Sequence, residues 1–100
     1  MKHVLGVTDR VWTRMIQFDK GEFEKGHEHQ FDHFTLLATG KLQVNVEGRE
    51  SVFEAPHMIL IRANKLHELK ALEDNTVAVC IHSLDPDIKA GEIINEDMVP

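Results

Sequence analysis

The sequence predicts an all-β protein, built as a double-sheet jelly roll or small barrel. Three observations carry that reading. Short apolar-rich segments recur about every eight to twelve residues with turn residues between them, the rhythm of a sandwich or barrel. Lys41 to Glu47 alternates strictly, with Leu42, Val44 and Val46 on one face and Gln43, Asn45 and Glu47 on the other. No stretch before residue 85 carries the apolar stripe of a helix. About eight strands in 100 residues would leave sticky edges unless the sheet closed or doubled on itself.

Taken in order, Val11 to Phe18 reads as a first long strand, ended by Asp19-Lys20-Gly21. His27 to Thr39 is partly β-branched and aromatic and reads as one extended segment closed by Gly40. Thr39-Gly40-Lys41 and Glu47-Gly48-Arg49 are turn signals on either side of the alternating strand. Ser51 to Glu54, Met58 to Arg62, His67 to Leu72 and Thr76 to His82 supply further strands. Pro56 cannot donate to a ladder and so belongs between strands or on an edge. The expectation is one domain over residues 1–100, with a barrel core at about 10–85. After the turn Asp85-Pro86-Asp87, the acidic tail through Pro100 reads as a last strand, a short helix or an arm that docks on a partner.

Composition narrows the classes. Apolar residues at 42% suit a packed core. A net charge of −6 without any basic stripe argues against nucleic acid as a partner. Cys80 is the one cysteine, so no internal disulfide forms, and its apolar neighbours make it a buried small hydrophobe. The first seven residues are too short an apolar stretch for a signal peptide, and no run approaches a membrane span. A soluble cytoplasmic protein, away from membranes, is expected.

Histidine carries the chemistry. Of seven histidines, three fall within the run His27-Glu28-His29-Gln30-Phe31-Asp32-His33. Residues i and i+2 of a strand share a face, so His27, His29 and His33 have the parity to converge on one ion. An imidazole binds such an ion through one ring nitrogen while the other is hydrogen-bonded to fix the tautomer. One strand does not complete a coordination sphere, and His67 opens a later strand as the natural further ligand.

The spacing Gly21-x5-His27-x-His29-x3-His33-x6-Gly40 resembles the first motif of the cupin superfamily at every position, with His33 where that family has glutamate. The second cupin motif is matched only in spacing, by Pro56, Arg62, Asn64, His67 and Ala71, and only its histidine is retained. Asn64 stands at a turn-glycine position, where asparagine is the next-best residue for left-handed backbone. The resemblance covers about residues 10 to 85. It implies a double-stranded β-helix holding one divalent transition metal (Fe, Zn, Mn, Ni or Cu) with His27, His29, His33 and His67. It also implies a metal-dependent small-molecule enzyme: a dioxygenase, or a Lewis-acid lyase, isomerase or cyclase. The alternatives are a non-catalytic binding module for a metabolite or metal, and an assembly protein with a vestigial site.

Replacing a carboxylate by neutral His33 leaves the ion its full charge, so anionic small molecules are the expected ligands. His82, near the end of a late strand, is a candidate proton shuttle, the plainer reading being a structural histidine. His57 reads as part of a turn and His3 as solvated. Glu28 and Glu68 turn to the outer face by alternation. Phe31, Phe34, Met58 and Leu60 are expected in the core or cavity. Trp12 is a candidate contact in a homodimer, a common state among small cupins.

Overall fold

The computed structural model describes residues 1–27, 30 and 32–83, with the side chain of His27 outside that description. The strands are β1 (Lys2–Val7), β2 (Val11–Phe18), β3 (Phe23–His27), β4 (His33–Thr39) and β5 (Lys41–Val46). They continue with β6 (Arg49–Glu54), β7 (His57–Ile61), β8 (His67–Ala71) and β9 (Thr76–Ser83). All pair antiparallel in two sheets, ordered β1-β2-β9-β4-β7 and β3-β8-β5-β6. No helix occurs among the described residues, so none is long and apolar enough to cross a membrane. The tail at 84–100, with its turn Asp85-Pro86-Asp87, lies outside the described residues, as do Glu28, His29 and Phe31.

Alternation decides what each sheet turns inward. On β2 the buried side chains are Trp12, Arg14, Ile16 and Phe18, and on β9 they are Thr76, Ala78, Cys80 and His82. The β2–β9 register sets Trp12 opposite His82, Arg14 opposite Cys80 and Ile16 opposite Ala78. β4 contributes His33, Thr35 and Leu37, and β8 contributes His67, Leu69 and Ala71. The interior is therefore graded along its length. Ile16, Phe18, Leu37, Leu42, Ala71 and Ala78 pack one end, and the polar residues of four strands collect at the other.

The turn chemistry follows the sequence. Glu47 and Gly48 have φ of 52° and 85°, the pair of left-handed residues a two-residue hairpin between β5 and β6 requires. Asn45 Oδ1 accepts the Gly48 amide at 3.0 Å. Asn64 has φ 61°, as its glycine-like position predicts. Pro56 lies between β6 and β7.

Several expectations are corrected. His27 to Thr39 is not one strand: β3 ends at His27 and β4 begins at His33, in the opposite sheet. Asp32 helps fix that break, because its Oδ1 accepts the Ala63 amide at 2.7 Å. β1 is an additional strand, and within it His3 is half-buried rather than solvated. Phe34, Met58 and Leu60 face outward instead of lining the interior, because β4 and β7 are apolar on both faces and parity alone did not choose. Trp12 points inward, which removes it from any surface contact. His57 begins β7, exposed, with its ring 4.8 Å from that of Phe53.

Gly40 marks the corner where the chain leaves β4 for the second sheet. Its φ is 84°, and a Cβ there would sit 2.7 Å from Thr76 Cα. Gly48 has similar φ but open space around it. Gly40→Ala should therefore cost about 2–4 kcal/mol, from backbone strain plus overpacking. Gly48→Ala should cost only about 1 kcal/mol. Urea denaturation of the two variants checks the order; equal losses would contradict the close approach at Thr76.

Candidate functional site

The polar end of the interior is assembled from both sheets. His33, the first residue of β4, comes from the five-stranded sheet, and His67, the first residue of β8, from the four-stranded one. Both are buried, with ring centres 5.5 Å apart. His82 from β9 lies 6.5 Å from His33 in an edge-on arrangement. It also stacks on the Trp12 indole at 4.5 Å.

The loop before β8 is pinned to hold His67. Leu66 exchanges hydrogen bonds with Glu47: the Leu66 amide donates to Glu47 Oε1 at 2.9 Å, and the Glu47 amide to the Leu66 carbonyl at 3.0 Å. His67 Nδ1 lies 3.1 Å from the Lys65 carbonyl. A carbonyl only accepts, so Nδ1 carries the proton and Nε2 keeps its lone pair. His82 is arranged alike, with Nδ1 3.2 Å from the Ser83 carbonyl. Burial pushes its pKa below the usual histidine value, opposed by that carbonyl, so the ring is neutral at pH 7.

These features suit a metal. A ring bound through nitrogen at about 2.0–2.1 Å has its centre roughly 3.2 Å from the ion. Two ligands of one ion then have centres at most about 6.5 Å apart. The His33–His67 separation of 5.5 Å falls inside that limit, and the His67 tautomer is the one an ion requires. His82 lies at the limit and stacked on Trp12, a geometry better suited to meeting a ligand than an ion. Among the described residues no three His, Cys, Asp or Glu side chains could together hold an ion. His27 pairs with His67 across β3 and β8 through its Cα, while its side chain and all of His29 lie outside the described residues.

Sequence reasoning missed Arg14 and Glu24. Arg14 is 2% exposed, and its Nη1 donates to Glu24 Oε1 at 3.2 Å. His3 Nε2 lies 3.8 Å from the other carboxylate oxygen. Burial lowers the His3 pKa, with Glu24 opposing. The signal was present: Arg14 shares parity with Trp12, Ile16 and Phe18 and had to point inward with them. The Arg14 Nε and Trp12 Nε1 donors are buried without an acceptor among the described residues. Cys80, opposite Arg14, contacts Thr35 Oγ1 at 3.6 Å, and burial pushes its thiol pKa up, so it is a packed thiol.

Comparison of the whole architecture with solved structures decides the fold. A KdgF protein from a Halomonas species superposes with a TM-score of 0.73 at 20% identity, over 85% of this chain and 81% of that one. This chain has a cupin fold. A cupin superfamily protein from Desulfitobacterium hafniense matches at TM-score 0.72 and 17% identity, over 84% of this chain and 79% of that one. An RmlC-like cupin with a double-stranded β-helix fold, from Methanocaldococcus jannaschii, matches at 0.72 and 11%, over 82% and 80%. No family model and no curated protein matches the sequence. The cupin architecture, all-β with two antiparallel sheets, is thus the one the histidine spacing anticipated.

The buried ion pair gives a stability test. Glu24→Leu strands the Arg14 guanidinium and should cost about 3–5 kcal/mol. Pairing it with Arg14→Met should recover most of that loss, because no buried charge is left uncompensated. Urea denaturation of both variants checks this; a double variant as unstable as the single one would contradict it.

Proposed function

We propose that the chain is a metal-dependent cupin acting on a small anionic molecule. His33 and His67 would hold one divalent ion, with His27 and His29 as the further ligands. The observation that carries the reading is the meeting of His33 and His67 from opposite sheets, buried and 5.5 Å apart. When bound, Fe, Zn, Mn, Ni or Cu would supply Lewis acidity, and iron would add oxygen chemistry.

The chain's own residues do the rest. His82, neutral and with its Nδ1 proton on the Ser83 carbonyl, keeps a lone pair on Nε2 that can take a proton from a ligand. Trp12 holds that imidazole by stacking. The donors at Trp12 Nε1 and Arg14 Nε, buried without an acceptor among the described residues, favour oxygen-bearing, anionic groups inside the barrel. This equipment fits dioxygenase or Lewis-acid lyase, isomerase or cyclase chemistry. Glu24 is committed to Arg14, which leaves histidine as the base.

Protein prepared without a metal-binding tag should carry about one equivalent of a transition metal by elemental analysis. His67→Ala should lower this below roughly a tenth while retaining the β circular dichroism spectrum. Metal-free wild type that cannot be reloaded would contradict the reading. Loaded protein without turnover on small enolisable anions would move it to a binding module.

A further inference from the structure

A cleft of about 260 Å³ opens between β6 and β7. These are the terminal strands of the two sheets and are not hydrogen-bonded to each other. Its deepest residues, Val44, Ile59 and Ile61, are buried, and Phe53 flanks them. Arg49 is exposed at the edge and is the sole charged lining residue. It makes no ion pair among the described residues. The cleft adjoins the histidines: Val46 is the Cα partner of His67, and Ile61 is the Cα partner of His33.

We propose that this cleft takes the apolar body of a small carboxylate whose head group pairs with Arg49, an inference that deepens the small-molecule reading above. A slot lined mainly by apolar side chains, with polar atoms also exposed and one guanidinium at its end, is complementary to an amphipathic anion, the Arg49 charge acting locally against the long-range repulsion of a chain of net charge −6. At roughly 30 Å³ per small group, the space suits a ligand of about ten non-hydrogen atoms. Octanoate is such a probe, and octanamide is its uncharged counterpart.

Calorimetry on chelator-stripped protein keeps this test separate from the metal reading. Octanoate should bind saturably at one site, with octanamide at least about tenfold weaker. Arg49→Gln should abolish the difference between the two. Absence of octanoate binding, equal binding of both probes to wild type, or discrimination surviving in Arg49→Gln would each overturn the proposal. The metal content measured beforehand is untouched by any of these results.

Discussion

β9 is hydrogen-bonded to β2 on one side and to β4 on the other, and the rest of the structure depends on that double register. It sets His82 against Trp12 and brings His33 alongside, while Ala78 lies between Ile16 and Leu37 at the packed end. A slip of one residue would turn the whole inward set outward, exposing His82 and Cys80 and burying Val79 and Ile81. The apolar end resists such a slip, since Ile16, Phe18, Leu37 and Ala78 would all lose their burial together. The packed end thus holds the polar end in place.

The second sheet is tied to the first by the corner at Gly40, and within the second sheet the Glu47–Leu66 exchange fixes the head of β8 against the end of β5, beside His67. Together these place a β8 histidine across from a β4 histidine, although 33 residues of chain lie between them in sequence. Electrostatics at this end follow from enclosure. His82 is kept neutral by burial, while Arg14 pairs with Glu24, so the interior combines a neutral imidazole with one compensated ion pair.

Much of the fold was legible where a strand alternates or is fenced by turn residues. β5 alternates, β2 and β9 are apolar-rich runs bounded by turn residues, and the ends of all three match the reading nearly to the residue; Asn64 and Pro56 also do what their backbone chemistry demands. Legibility failed where both faces are apolar, as at Phe34, Met58 and Leu60, because period-two alternation then has no sign. It failed again at His33, whose change of sheet is fixed in part by Asp32 and Ala63, a contact between distant segments. The candidate site shares this division. Spacing puts His67 at the head of a strand, as the structure has it, whereas His33, read on the strand of His27, opens the next strand, and Arg14 was overlooked because charge masked its inward parity.

If His33 and His67 from the two sheets share one metal ion, anomalous diffraction from crystals grown with zinc or iron shows a peak between the two rings, about 2.0–2.1 Å from one nitrogen of each imidazole. Anomalous density lying away from both rings would contradict it.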